Sequence, residues 1–376
     1  MTTARSSQIN LDATPHYHVV SRCVRRAFLC GEDSATGKNY DHRKLWLIER
    51  IKLLAAIFGI DICSYAILSN HFHLVLRAVA ESVDQWDDRE VIRRVRMLCP
   101  GTVRNIEKWA EEEQQKALTT WRERLTSISW FMAKLNEYIA RRANKEDECS
   151  GRFWEGRFSC QALLDEGALL ACMSYVDLNP VRAGIAQGLE DSSWASIRQR
   201  IEEMKESATN EESVTEKGAE LASGNNDRGE SPKKEELAAE NAAVPPAPPP
   251  APGLDSCPDL VPFEGDDLSG ETCPEQGSTE PLPVTRAQYL DLLYWTGRTI
   301  RDDKKGHITC GPSPELAGLL QQYGLNPSSW VESVETFDSF GVFVGHPEKL
   351  DEQAKQLGQK RLKGKRQANR TYALAA

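Results

Sequence analysis

The amino-acid sequence predicts a mixed α/β (α+β) fold, an antiparallel sheet packed by helices, over its first two hundred residues. Three observations predict it. Apolar runs of strand length stand at 16–23, 61–69 and 71–78, with turn residues between the last two. Segments with apolar residues at helical spacing alternate with them. Near Glu206 the composition turns acidic and then proline-rich, and apolar residues return only around Thr285.

The elements follow in order. His16 to Cys23 (HYHVVSRC) reads as a strand. Lys44 to Gly59 (KLWLIERIKLLAAIFG) reads as a helix that stops at a glycine, the residue that tolerates the C-terminal turn. Asp61 to Ser69 and His71 to Ala78 make two strands joined by a Ser-Asn turn. Val83 to Ala117 is charged and helical, with a break at Cys99-Pro100-Gly101. Ile128 to Lys145 is an amphipathic helix with a basic end, Gly151 to Leu163 a loop and strand, and Glu166 to Leu178 a helix ended by Asn179-Pro180. This gives four segments: a catalytic-type domain over 1–203, an acidic and proline-rich linker over 204–284 expected to be disordered, a small mostly helical module over 285–350, and a basic tail over 351–376.

Charge and composition exclude several classes. No apolar run approaches the roughly 18 residues of a membrane span, and Met1 to Asn10 has no signal-like core, so a cytoplasmic protein is expected. The ten cysteines are scattered with no CxxC, which argues against a disulfide framework or a zinc site and for reduced thiols. The net charge of −10 is uneven: residues 1–200 carry 28 Lys/Arg against 26 Asp/Glu, residues 201–284 carry 5 against 20, and residues 285–376 carry 13 against 10. The acidity belongs to the linker, so the overall charge does not exclude a nucleic-acid partner.

Three groups of residues could carry chemistry. His71 and His73 flank Phe72 on one strand, so both imidazoles leave the same face and could share a divalent metal. Taken alone, such a pair is more often two partly exposed histidines. Tyr175 and Asn179 are four apart on a helix and share a face. A phenol there could attack a phosphodiester, although on spacing alone core packing of Tyr175 and capping of the helix by Asn179 before Pro180 are the better account. Arg141 and Arg142, with Arg152, Phe153, Trp154, Arg157 and Phe158, mix guanidinium groups with rings as single-stranded nucleic acid requires; the rings serve equally well as core residues. Tyr138, on the same helix as Arg141, is a weaker nucleophile candidate.

In order, Tyr17-His18-Val19-Val20-Ser21-Arg22, Ser69 to Arg77 (SNHFHLVLR), Gly151 to Phe158 (GRFWEGRF) and Tyr175 to Gly184 (YVDLNPVRAG) resemble the single-tyrosine HUH transposases, the IS200-like group, and within it the REP-associated branch. The resemblance spans about residues 14–200. It implies a ferredoxin-like sheet; Mg²⁺ or Mn²⁺ held by His71 and His73, with Asn179 near the third position; and Tyr175 as the nucleophile that forms a 5′-phosphotyrosine and frees a 3′-OH. It implies single-stranded hairpin DNA as substrate, contacted by Arg22, Arg77, Arg141, Arg142, Arg152, Trp154 and Arg157. Relatives often act as homodimers, some with the tyrosine helix supplied in trans. The alternative is a domesticated hairpin-binding protein without turnover. Residues 83–126 resemble an insertion, and nothing in the family pattern explains the part after Thr285. Because all proposed site residues precede Ser207, residues 204–376 are expected to be dispensable for cleavage.

Overall fold

The computed structural model describes residues 8–24, 29–32, 37–207, 252–266, 280–301 and 313–372. Strand β1 (His16–Arg22) is followed by helix α1 (His42–Ile57), then the hairpin β2 (Ile60–Ile67) and β3 (His71–Ala78). Helices α2 (Ala80–Gln85), α3 (Asp88–Leu98), α4 (Glu111–Leu125) and α5 (Ile128–Glu146) lead to β4 (Ser159–Leu163). The strand order β2-β3-β1-β4, with antiparallel neighbours throughout, is the ferredoxin-like arrangement that the resemblance implies. The expected break after Leu98 falls in the stretch between α3 and α4.

The two faces of this sheet follow from the period-two alternation of β3. Phe72 meets the Trp154 ring at 5.7 Å, and the indole N–H of Trp154 donates to the Asn136 carbonyl on α5. Phe72 therefore looks toward α5. Its neighbours His71 and His73 look the other way, toward α6 (Glu166–Asp177). Ser127 caps α5 and Asp165 caps α6, each accepting from a backbone N–H three residues on, the usual way to satisfy a helix N-terminus.

Helix α6 is buried on every side from Gly167 to Asp177, which is what a helix apolar all round requires. The sheet covers one side and the chain after residue 280 covers the other. After α7 (Asn179–Arg182) and a helix over 196–207 (α8), the described chain resumes with β5 (Phe263–Glu264), β6 (Leu282–Thr285) and α9 (Arg286–Arg301). It continues through α10 (Pro314–Gln322), α11 (Trp330–Glu335), β7 (Phe343–Val344), α12 (Pro347–Gln356) and α13 (Lys365–Tyr372). Tyr289 on α9 donates to the buried Asp177 carboxylate at 2.6 Å. Strand β7 joins the central sheet parallel to β4.

Two expectations about this region are corrected. Residues 252–266 and 280–284, assigned to a disordered linker, are folded against the sheet. Val261 donates to the Ile62 carbonyl at 2.9 Å, and Val261, Phe263, Leu282 and Val284 are buried. Their apolar side chains are few but all point inward, so they offset the ordering entropy that their proline and acidic neighbours do not. Residues 208–251 and 267–279 of the linker lie outside the described residues. The basic tail is likewise folded: α12 and α13 bury Leu350, Ala354, Ala368 and Tyr372, and the Tyr372 hydroxyl donates to Asp165 at 2.7 Å. No helix among the described residues is long and apolar enough to cross a membrane.

Candidate metal and nucleophile site

The antiparallel register of β1 and β3 sets Val20 opposite His73 and Arg22 opposite His71. His18 therefore lies diagonally next to His73 on the same face. The two rings stack at 5.2 Å with 7° between planes, and His18 Nε2 lies 2.9 Å from His73 Nδ1. His71 and His73 ring centroids are 4.9 Å apart. The outer nitrogen of His73, Nε2, lies 3.3 Å from the Asn179 amide nitrogen Nδ2, which donates toward it, and His71 Nδ1 lies 2.5 Å from Asn70 Oδ1.

Burial is the main reason these imidazoles resist protonation. It holds His73 well below the ordinary value, helped by the neighbouring His18, His71 and Arg22. Burial also lowers His18. His71 falls to about 4, first by burial and then by the positive charge of Arg22. Three neutral imidazoles are the protonation state that metal ligation needs. Among the described residues no group of three His, Cys, Asp or Glu side chains is arranged to hold a metal. The donor set would therefore be His71, His73 and the Asn179 amide, completed by oxygens from outside the protein. Two imidazoles and one amide oxygen suit Mn²⁺ better than Mg²⁺, which favours an all-oxygen shell.

Tyr175 reaches this cluster from α6. Its ring meets His73 edge-on at 5.6 Å and His18 at 6.0 Å. The helix packs on its own sheet, which brings Tyr175 and the histidines together within one chain. Tyr175 is 7% exposed. Burial pushes its phenol above the ordinary range, and the Asp338 carboxylate pushes it further.

Five residues of this site do not figure among the expected site residues. Besides His18, Gln161 on β4 approaches His18 Nδ1 through Oε1 at 2.8 Å. Asp338, in the turn Phe337–Ser339, accepts the Tyr175 hydroxyl at 2.7 Å, while Phe337 stacks on the Tyr175 ring at 5.4 Å. Arg182, one turn beyond Asn179, places its guanidinium 5.2 Å over the Tyr175 ring. All three of its nitrogens are buried without a hydrogen-bond partner among the described residues.

The cleft that His18 and His73 line has a volume of about 600 Å³, and Arg22, Arg157 and Lys363 are among its other lining residues, together with Glu155 and Asp338. Of the residues expected to touch DNA, only Arg22 and Arg157 line it. Arg152 is exposed and lies outside the cleft lining. Arg77 is buried and ion-paired with Asp61 at 2.8 Å, so it serves the fold. Trp154 is 9% exposed and packs on Phe72 and Phe153, leaving no open ring face for a base. Arg141 and Arg142 lie on α5, on the far face of the sheet, in a groove they share with Arg50, Lys134, Tyr138 and Lys145. Arg142 lies 4.0 Å over the Trp46 ring and donates to the Tyr138 hydroxyl at 2.7 Å. That placement separates Tyr138 from the histidines.

No protein-family model and no curated protein matches this chain. Among solved structures, that of a REP-associated tyrosine transposase bound to a REP hairpin is similar over 50% of this chain and 79% of that chain, with 12% identity and a TM-score of 0.31.

Proposed function

We propose that this chain is a metal-dependent, single-tyrosine HUH endonuclease and strand transferase that acts on single-stranded, hairpin-bearing DNA in the cytoplasm. The observation that carries this reading is the convergence of Tyr175, His71, His73 and Asn179 on one sheet face, with His73 also lining a cleft that contains Arg22, Arg157 and Lys363. His71, His73 and Asn179 would hold a Mg²⁺ or Mn²⁺ ion, which would supply polarisation of the scissile phosphate.

The chain's own residues do the rest. Arg22, Arg157 and Lys363 draw the backbone of an unpaired strand into the cleft. Arg182, already dehydrated and unpaired, gains a partner only when a phosphate oxygen arrives beside Tyr175, so it favours the bound, charge-developing state. Tyr175 Oη then bonds to phosphorus as it gives up its proton. The P–O3′ bond breaks, and the departing 3′-oxygen takes up a proton. The products are a 5′-phosphotyrosine and a free 3′-OH, and attack by a 3′-OH on the phosphotyrosine reverses the step and joins strands. A homodimer, which the resemblance implies, is not needed to assemble this site.

The test uses full-length protein, labelled hairpin oligonucleotides and Mn²⁺ or Mg²⁺, with a denaturing gel that reports protein covalently attached to DNA. The expected adduct is absent with Tyr175→Phe and with EDTA. Tight hairpin binding that survives EDTA, with no adduct from any oligonucleotide, would instead identify a hairpin-binding protein without turnover.

A further inference from the structure

The hydrogen bonds around His73 form a directed chain whose origin lies in the C-terminal part of the molecule. Gln161 Nε2 donates to the Gly341 carbonyl at 3.0 Å. An amide has one donor end and one acceptor end. With its NH₂ committed to Gly341, Gln161 must turn Oε1 toward His18 Nδ1, 2.8 Å away. The reverse orientation would set two carbonyl oxygens against each other. His18 Nδ1 therefore carries the proton, and in a neutral imidazole its Nε2 is then a bare acceptor. His73 Nδ1, 2.9 Å from that acceptor, must be the donor. The lone pair of His73 is left on Nε2, the nitrogen that faces Asn179.

We propose that Gly341, Gln161 and His18 form a positioning relay that fixes the His73 tautomer with its Nε2 lone pair facing the metal position, so that the C-terminal segment sets up a site whose proposed ligands all lie in the first half of the chain. This rests on the metal-site reading above for its purpose, but the hydrogen-bond chain stands on its own geometry. Gly341 is held in place on both sides. Ala162 donates to Val342 at 2.7 Å and Leu164 to Val344 at 2.8 Å, tying β7 to β4. A Cβ at position 341 would lie 2.6 Å from the Lys363 carbonyl, so only glycine fits. The rest of the circuit is enclosed: His18 and His73 are 1% and 2% exposed, where water does not compete for either nitrogen. Without the relay, His73 would be free to carry its proton on Nε2, and that form cannot bind a cation. Outer-shell partners of this kind typically change metal affinity 10- to 100-fold.

The experiment uses metal-free, full-length protein with ¹⁵N-histidine and long-range ¹H–¹⁵N correlation spectra, which distinguish protonated from bare ring nitrogens. His18 and His73 should both show protonated Nδ1 and bare Nε2. Gln161→Met, similar in length but unable to hold His18 Nδ1–H, should give His73 signals from both tautomers and weaken Mn²⁺ binding, read by electron paramagnetic resonance, about 10- to 100-fold. Gln161→Glu loses the donor to Gly341 but retains an oxygen that accepts from His18, and should restore the single tautomer with a Mn²⁺ affinity above that of Gln161→Met. A role in packing alone would not separate Met from Glu in this way. Protonated Nε2 on wild-type His73, or an unchanged tautomer in Gln161→Met, overturns the relay. The expected tautomers in a wild-type protein that binds no Mn²⁺ would leave the hydrogen-bond chain intact, remove its purpose and sink the metal-site reading instead.

Discussion

The two faces of the central sheet are covered in different ways. On one face α1 and α5 lay an apolar floor against Phe72 and Trp154 and turn a basic surface outward, with Arg50, Lys134, Arg141 and Arg142 in an open groove. On the other face α6 has no outward side at all. It lies between the sheet and the C-terminal helices, and the polar groups of that layer (His18, His73, Tyr175, Asp177 and Arg182) are dehydrated. A dry layer costs free energy wherever a polar group lacks a partner, and there Arg182 lacks one. The comparison teaches that the exposed basic surface carries its charges in water, whereas the buried layer holds polar groups out of it. On the function proposed above, the first would hold nucleic acid by charge and the second would act on it.

The largest test of this contrast is removal of residues 208–376. The sequence expectation that they are dispensable does not fit the packing. Truncation would uncover the outer side of α6, with Leu169, Leu170, Met173 and Val176 among its buried residues, each worth about 1.5–3 kcal/mol when buried. It would also strip Asp177 of Tyr289, remove β7 from the sheet edge, and delete Gly341. The truncated chain should lose cooperative thermal unfolding, read by calorimetry, and form no covalent adduct. A truncated chain that melts sharply and cleaves at the full rate would show that the two layers are independent.

Arginines on the two sides should then behave differently. Arg182→Ala removes a buried cation that has no hydrogen-bond partner among the described residues and only a ring contact with Tyr175, so its melting temperature should change little. Cleavage should nevertheless fall about 100-fold, the usual cost of losing one donor to a developing negative charge. Arg142→Ala, in the open groove, should leave the rate at saturating DNA unchanged. It should weaken hairpin binding uniformly and lower the slope of log affinity against log salt by about 1. If Arg182→Ala altered only the salt slope, the distinction between the layers would collapse.

Much of the first layer can be read from local sequence. The alternation in β1 and β3, the helical spacing of α1 and α5, and the four-residue step from Tyr175 to Asn179 are short-range patterns, and the structure places those elements within two or three residues of expectation. His18 was within a quoted motif, yet its part in the site depends on the register that pairs β1 with β3, more than fifty residues away in the chain. Asp338 and Gly341 are more distant still, on a segment whose contact with α6 no local pattern encodes. One signal was present. The stretch Gly167 to Val176 (GALLACMSYV) offers no polar face to water, and such a helix demands a second covering layer. In the linker the signal was diluted, because Leu260, Val261, Phe263, Leu282 and Val284 stand among prolines and acids that dominate any average.

The smallest expected effect concerns the point where the two parts of the chain meet, the Tyr175–Asp338 contact. Asp338 accepts the phenol proton's hydrogen bond, and its charge pushes the phenol away from ionisation. The same negative charge faces the place where a phosphate must approach. Two like charges at about 4 Å in a well-solvated cleft oppose each other by on the order of 1 kcal/mol, which corresponds to about fivefold in rate. Asp338→Asn keeps an oxygen that can accept from Tyr175 and removes the charge. Cleavage at saturating metal and DNA should therefore rise by roughly fivefold, with the gain largest at low salt, where screening is weakest. A tenfold or greater loss would reverse the assignment and make the Asp338 carboxylate the group that takes the proton from Tyr175. The sign of the change distinguishes restraint of the Tyr175 hydroxyl by Asp338 from its activation.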